Sequence, residues 1–566
     1  SATESPTQSA TESPTQSATE SPSMTPLPSA TPQRTYYPGT VNTYIDRNIT
    51  DGSEIPTGQI QGGQDNIKQI SGCRFSNIGA PNNRNYYIQI HSEVLFYDNI
   101  FENDVNPTGD SAGVLWQNYN GRFTITNCKF IRIASKMSNG FVINTNYNSG
   151  TANNLEMIIE KSEFIDCGKQ GVNKPLIDAL NDRGILKFYE CNFTFSSSDM
   201  TFNILQTNNN GALFEGCRFT RCGDNTIKLG TGSASNPEGT FTFKNNYITM
   251  NEGRFIQADK LRSQPIIENN IFESITLTNK YLISISHNQG MIELDNNTFS
   301  QITSNGETNC DCGGSSISLT SSNSDYTIRY NNCKFNTNIN NHENAPNNHG
   351  GAIQTGFSSN SEANFELISC EFINNNVKGG HGGGVAIRTS KTIKIENCKF
   401  EDNTANNEGD TSGSKGFGGA IYISTSFTSN NEDKCSTSVI IKGCTLNNNK
   451  GYQGYGIYLQ GQINCDTTIT INDQNEFNNN VGIMPHQTGG CIIASEIISI
   501  SEEEIEESNS FGETGEIKHF LYVDSFGNEL PDPTETPTET PTESPSQSPT
   551  ESPSMTPLPS ATPQRT

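Results

Sequence analysis

Cysteine and histidine are the most reactive side chains of this chain, since fifteen cysteines could form disulfides or hold a metal ion and seven histidines could transfer protons. The cysteines are not scattered. Seven of them recur in the triplet Cys-x-Phe, at Cys73, Cys128, Cys191, Cys217, Cys333, Cys370 and Cys398. Residues two apart on a β-strand share a face, so the triplet predicts a repeated position inside a core.

We expect most cysteines in this position to be buried free thiols. Parallel in-register neighbours lie about 4.8 Å apart, beyond the usual Cβ separation of about 3.5–4.5 Å in a disulfide. The thiols expected to pack as small apolar groups are Cys333, Cys370, Cys398 and Cys444.

Two further cysteines, Cys435 and Cys465, precede matching strands at similar distances from Leu446 and Phe477. Equivalent places on adjacent repeats would let their Cα atoms approach, so we predict a disulfide between them. Zinc binding by Cys310-x-Cys312 is an alternative use of a cysteine pair, but it lacks a partner pair.

These residues are carried by a repeat that runs through most of the chain. Asn or Ser replaces the cysteine in several copies, and the apolar anchor that closes each copy falls at residues 75, 101, 130, 164, 193, 219, 248, 272, 299, 335, 372, 400, 446 and 477. The mean period of about 31 residues is typical of repeat architectures. Short β-branched runs and Gly- or Asn-rich corners predict an all-β fold, a right-handed parallel β-helix of about fourteen coils.

Two features of the sequence bear on carbohydrate chemistry on this fold. Gly380-His381-Gly382 is similar to the Gly-His-Gly of polygalacturonase-like β-helices, but no Asp-Asp pair precedes it. A lyase site would need clustered carboxylates and a base, for which Lys399, Glu401 and Asp402 are the candidates. The remaining histidines form no spaced ligand set, as at His342, His349 and His486. We therefore expect no catalytic residue, metal or cofactor, and keep a polysaccharide lyase or hydrolase as an alternative.

A glycine motif distinguishes the second half of the repeat. Gly350-Gly351-Ala352-Ile353 recurs at 383–387 and 418–421, with weaker copies at 313–317 and 489–492, and it alternates with Phe-x-x-Asn. We expect the glycines to form tight corners. The Asn of Phe-x-x-Asn is expected to take a left-handed turn and to stack amide on amide, at Asn338, Asn375, Asn403 and Asn480.

Over residues 313–491 these motifs resemble the repeats of chlamydial polymorphic outer-membrane proteins. The resemblance implies a right-handed parallel β-helix on a cell surface, with adhesion as the usual role. The chain lacks the C-terminal membrane-barrel segment of that family and has Pro-Thr-Ser linkers instead.

The domain organisation follows from the composition. Residues 1–35 and 531–566 are Pro-, Ser- and Thr-rich linkers, 36–70 an N-terminal cap, 71–491 the β-helix, and 492–530 a C-terminal cap. The acidic run within residues 502–507 is expected to form a capping turn or short helix. Residues 19–35 are repeated letter for letter at 550–566, which favours one period of a tandem array.

The net charge and the length of the apolar runs limit the classes of partner that the chain could bind. The net charge of −26 argues against nucleic acid, and the apolar runs are too short to span a membrane. We expect an extracellular or cell-surface protein. The expected partners are other copies by self-association or tandem neighbours, covalent glycans and surface glycans.

Two kinds of glycan are predicted. N-glycans are expected at the Asn-x-Ser/Thr sites Asn48, Asn192 and Asn296. O-glycans are expected on the linker, at Thr534, Thr536, Thr538 and Thr540, where proline every fourth residue favours an extended chain. The leading hypothesis is a structural protein forming a fibre, coat or stalk. A surface adhesin or glycan-binding module and the polysaccharide-active enzyme are the alternatives.

Overall fold

The structure is a computed structural model, and it describes only part of the chain. The described residues are 42–45, 48–49, 60–62, 67–76, 86–90, 94–102, 113–117, 122–133, 142–144, 154–168, 175–179, 183–196, 203–207, 211–230, 240–261, 264–287, 290–305, 317–321, 326–341, 349–355, 363–388, 391–406, 416–425, 435–461, 465–472, 474–482, 490–495, 502–512, 518–523 and 529–530. By internal contacts the chain divides into residues 1–41 and 42–566, and all described residues lie in the second unit. Both linkers, with the four O-glycan threonines, and the pair Cys310 and Cys312 lie outside the described residues.

Sheet 1 contains the β-branched runs that precede each Cys-x-Phe triplet. Its fifteen described strands are all parallel and follow chain order: Asn42–Ile45, Ile67–Ser71, Val94–Tyr97, Arg122–Thr126, Asn154–Glu160, Arg183–Tyr189, Gly211–Glu215, Phe241–Lys244, Ile266–Glu268, Gly290–Asp295, Tyr326–Asn331, Ala363–Ile368, Thr392–Glu396, Cys435–Lys442 and Cys465–Asn472.

Sheet 2 is centred on the apolar anchors. Its main ladder contains Asn48–Ile49, Arg74–Ser76, Ile100–Glu102, Lys129–Ile131, Glu163–Ile165, Asn192–Thr194, Arg218–Thr220, Tyr247–Thr249, Ile271–Thr278, Thr298–Asn305, Lys334–Asn336, Glu371–Ile373, Lys399–Glu401, Thr445–Asn447, Glu476–Asn478 and Ser510–Gly512. The second half of Thr298–Asn305 starts a side ladder of Ile339–Asn340, Asn376–Lys378, Thr404–Asn406, Lys450–Gly451 and Val481–Gly482. Sheet 2 therefore forks where Phe-x-x-Asn becomes regular.

Sheets 3 and 4 complete the coils. Sheet 3 contains Ile60–Gly62, Tyr86–Ile90, Gly113–Gln117, Ile143–Asn144, Pro175–Ala179, Asn203–Thr207, Ile227–Leu229, Ile256–Leu261, Ile283–His287 and Ile317–Ser321. Sheet 4 contains Ile353–Thr355, Val385–Arg388, Ile421–Ser424, Ile457–Gln460, Gly490–Ser495, Lys518–Val523 and Glu529–Leu530. The last two strands pair antiparallel, unlike the parallel pairs before them. The chain thus passes repeatedly through successive parallel sheets, and the predicted parallel β-helix is confirmed.

The core is a stack of identical side chains along the axis. Phenyl rings of successive coils lie parallel with centroids 4.7–5.1 Å apart, from Phe75 to Phe219 and again from Phe272 to Phe400. Between these runs Ile248 stands at the anchor, and Phe255 packs its ring edge-on against Phe219 at 5.0 Å. One coil cannot bury this face alone, so stacking of coils is what forms the core.

Both end regions contain strands that continue the sheets of the body. Asn42–Ile45 already pairs in parallel with Ile67–Ser71, so the boundary placed at residue 70 falls inside a continuous sheet. The acidic run forms the helix Glu502–Ser508, as predicted, and its Ile505 is buried in the end of the core. Ser510–Gly512 and Lys518–Val523 continue sheets 2 and 4 beyond residue 491.

One prediction about the turns is wrong. The left-handed residue is not the Asn of Phe-x-x-Asn but the residue before it, with φ of 54° at Thr337, 58° at Asn374 and 55° at Asp402. The Asn side chains themselves turn inward and are fully buried at Asn338 and Asn375. Amide stacking between coils, the other half of the prediction, is confirmed.

Candidate functional site

The Cys-x-Phe position is a corner at which side chains of one coil form hydrogen bonds with backbone groups of the neighbouring coil. Asn99 accepts the N–H of Cys73 at 3.0 Å and donates to the carbonyl of Ile70 at 2.7 Å. Asn270 does the same for Asn246 and Phe243, at 2.9 and 2.8 Å. Asn therefore replaces Cys in the repeat because its amide pairs buried backbone groups that the strands leave open.

Cysteine makes a similar arrangement with its thiol, and the Sγ of Cys398 accepts the N–H of Cys370 at 3.4 Å. The cysteine Sγ also donates to a carbonyl of the preceding coil, at 3.3 Å from Cys370 to Tyr330 and 3.5 Å from Cys398 to Leu367. Burial raises the pKa of the Cys128 thiol to about 12, which keeps it protonated and able to donate. The expectation of buried free thiols is confirmed at Cys333, Cys370, Cys398 and Cys444. These cysteines have a structural role that needs no redox or metal chemistry.

A second inward column of amides follows the anchors in the second half. Asn375 accepts from the backbone and side-chain N–H groups of Asn338 at 3.1 and 2.9 Å, and it donates to the carbonyl of Phe335 at 3.1 Å. Asn403 and Asn449 repeat these bonds one coil at a time. Because each amide forms hydrogen bonds with the coil before it, this column links consecutive coils.

The predicted disulfide has the required backbone register. Cys435 and Cys465 are directly opposite each other on adjacent parallel strands of sheet 1. The structure describes the backbone of these two residues and not their side chains, so the bond stays a prediction.

The predicted N-glycan sites occupy three different places. Asn192 lies on an exposed strand position beside buried Phe193, and Asn296 is exposed at a left-handed corner, so both face outward as expected. Asn48 begins a strand of sheet 2. Asn296 differs from Asn192 because its amide accepts from Asn332 at 3.1 Å.

Outward charges are paired with the neighbouring coils. Arg329 lies between Glu293 and Glu366 on sheet 1, at 3.7 and 2.6 Å. Lys129 pairs with Glu163 on sheet 2 at 3.1 Å. Exposed pairs of this kind contribute about 0–1 kcal/mol each.

The carboxylates considered for catalysis are engaged in the same way. Lys399 forms an ion pair with Glu401 at 2.7 Å, and this hydrogen bond raises the pKa of Lys399, which keeps the side chain protonated and so unable to act as a general base. Asp402 lies at a corner with φ of 55°. Elsewhere Asp224 pairs with Lys280 at 2.5 Å and accepts the N–H of Arg254 at 3.0 Å. Within the described residues, no group of three or more His, Cys, Asp or Glu side chains could hold a metal ion.

Sequence reasoning missed a second apolar cluster, outside the tube on sheet 4. It consists of Ala386, Tyr422, Tyr458 and Ile493, with Phe417 packed against it. Sheet 4 has apolar residues at consecutive positions, as in Ile421-Tyr422-Ile423, and this loss of alternation was the available signal.

His381 joins this cluster. Its ring stacks on His349 at 4.7 Å, on Phe417 at 4.8 Å and on Tyr422 at 4.5 Å. Phe417 also stacks on Tyr458 at 4.6 Å. Since the rings cover one another's faces, few faces remain for stacking against a sugar ring. The Gly-His-Gly tripeptide thus lies in an aromatic ladder, without the paired aspartates of a polygalacturonase-like site.

Comparisons with known proteins define no family. No family model matches the chain, and no curated protein matches it. A mannuronic acid specific polysaccharide family 6 lyase from human gut microbiota is 10% identical with a TM-score of 0.28, covering 84% of this chain and 91% of that chain. The periplasmic alginate epimerase AlgG is 12% identical with a TM-score of 0.25, covering 75% and 76%.

Likeness at this level is too weak to assign an activity, and the resemblance to chlamydial outer-membrane proteins is not confirmed by it. What is established is the class of fold, a parallel β-helix. Among the described residues no helix is long and apolar enough to cross a membrane.

Proposed function

We propose that this chain is an extracellular structural rod, one body of a tandem array joined by O-glycosylated linkers into a fibre, coat or stalk. The observation that supports this most is the continuity of the ladders. Phenyl rings, amides and thiols repeat through successive coils, and each group stacks on or hydrogen-bonds to the adjacent coil. A rod needs this regularity, whereas an active site requires groups that converge on a free space.

The termini support the array. The 17 residues at 19–35 recur at 550–566, flanking one folded body. The linker segment 531–566 could extend to about 110 Å as polyproline II, at about 3.1 Å per residue. Glycans on Thr534, Thr536, Thr538 and Thr540 would stiffen it. The sequence of the full reading frame tests this proposal, because several bodies separated by such linkers support it and a single body contradicts it.

A carbohydrate-active enzyme is the second candidate, because the solved structures found by comparison are an alginate epimerase and a polysaccharide lyase. The test is incubation of the purified protein with alginate and pectin, followed by reducing-end assay, ultraviolet absorbance of unsaturated products and NMR for epimerisation. Activity in any of these would replace the structural proposal.

Recognition of a surface glycan or host protein, as in an adhesin, would use the long outer flank of the same rod. Retention of a glycan by the isolated body on an array would support this role.

A further inference from the structure

A column of four side chains lies at the glycine corner that precedes sheet 4. Gly350, Gly382, Gly418 and Gly454 are aligned, all with positive φ between 59° and 71°. The residues just before them are therefore equivalent on successive coils: His349, His381, Phe417 and Gln453. The backbone bonds Gly350 N–H to His381 O at 2.7 Å and Gly382 N–H to Phe417 O at 2.8 Å fix this alignment.

The hydrogen bonding of His381 sets its protonation state. The backbone N–H of Phe417 donates to Nδ1 of His381 at 3.2 Å. A ring nitrogen that accepts carries no proton, so His381 is neutral and its proton lies on Nε2. The neighbouring imidazole of His349 is parallel to it within 15° and is largely buried, with 8% of its surface exposed.

We propose that the stack of His349 on His381 is a pH-sensitive latch, closed when both rings are neutral and released when they take up protons. A proton on Nδ1 of His381 would turn the acceptor into a donor facing the N–H of Phe417. Protonation of both rings would also place two cations with ring centres 4.7 Å apart. The closed corner is favoured at neutral pH, and this stabilisation is lost as the pH falls through the range in which histidine becomes charged.

The described neighbours of the stack include a neutral phenol and a cation. Tyr422 packs on both imidazoles, and burial raises its pKa, so it stays neutral under these conditions. Tyr458 is stacked behind Phe417 and also lies close to Tyr422. The charge that acts on Tyr422 is Arg388, a further cation. Release of the latch would therefore expose the aromatic cluster on sheet 4 and leave the phenyl column inside the tube intact.

The register supplies matched variants for a test. Phe417 and Gln453 show which residues fit the column, so His381→Phe and His349→Gln should fold while losing the titrating groups. Amide hydrogen exchange with mass spectrometry at about pH 7.5 and about pH 5.5, converted to protection factors, measures opening. We expect protection of the 416–425 peptide to fall at least about tenfold on acidification of the native sequence, and that of the peptide containing Lys399–Glu401 to stay constant.

The double variant should show no such fall. Equal protection of the native 416–425 peptide at both pH values would overturn the proposal, as would an undiminished fall in the double variant. If the double variant is unprotected at both pH values, the same measurement is made on the single variant His349→Gln. This variant removes the pair of cations and keeps the hydrogen bond from the Phe417 N–H to His381. A smaller pH effect in that variant supports the latch, and an unchanged effect refutes it.

Discussion

Replacing Asn375 by Ala tests whether the inward amides hold consecutive coils together. Asn375 is fully buried and is the acceptor for two N–H groups of Asn338 and a donor to Phe335. Alanine would leave at least the backbone N–H of Asn338 and the carbonyl of Phe335 unpaired in the core. Each such group costs about 1–3 kcal/mol, so the free energy of unfolding should fall by about 2–6 kcal/mol.

The matched control is Asn336→Ala, two residues from Asn338 on the outer face of the same coil. Its side chain is exposed and accepts only a local bond from Thr337, so the expected change is within about 0.5 kcal/mol. Urea unfolding followed by far-ultraviolet circular dichroism measures both variants. Equal free energies of unfolding for the two variants would refute the reasoning that the amide column carries stability.

Four further predictions follow from the same geometry. Gly383→Ala should destabilise the body strongly, because an added Cβ would lie 2.1 Å from the carbonyl oxygen of Gly419. The control is Gly290→Asn, where an added Cβ meets no atom within 4 Å and asparagine tolerates the left-handed backbone. The urea midpoints of the two variants are compared. Cys167 should resist iodoacetamide at pH 8 in the folded body, since burial raises the pKa of its thiol to about 12; rapid labelling found by peptide mass spectrometry would contradict this. Non-reducing peptide mapping should find Cys435 joined to Cys465, and two free thiols would exclude the bond. Glycopeptide analysis of protein from its natural source should find an N-glycan on exposed Asn192; complete absence of mass change on deglycosylation would defeat the N-glycan prediction.

The fold could be predicted because one physical constraint repeats in the sequence. A Cys or Asn two residues before Phe must face the same way as the Phe. Only stacked coils give every copy an adjacent coil with which to pack and form hydrogen bonds. The same pattern did not reveal which asparagine makes the turn. At Asn374-Asn375 both residues suit a left-handed corner by type, and the choice is made by the buried backbone groups that Asn375 reaches from the inward side.

The outer cluster on sheet 4 was harder to predict for a different reason. Its members come from corners and strands that are far apart in sequence, and their equivalence depends on the alignment of Gly350 with Gly382 and Gly418. The sequence motif at 383–387 is aligned one residue late, because Gly382, Gly383 and Gly384 are consecutive. That shift concealed His381 as the counterpart of Phe417.

Electron microscopy of the intact natural protein tests the central claim most directly. The account predicts several discrete rods in each chain, each about 70 Å long from the fifteen strands of sheet 1 spaced at about 4.8 Å, with separations of up to about 110 Å set by the linkers. A chain that holds one body, or a compact globular particle in place of rods, would contradict it.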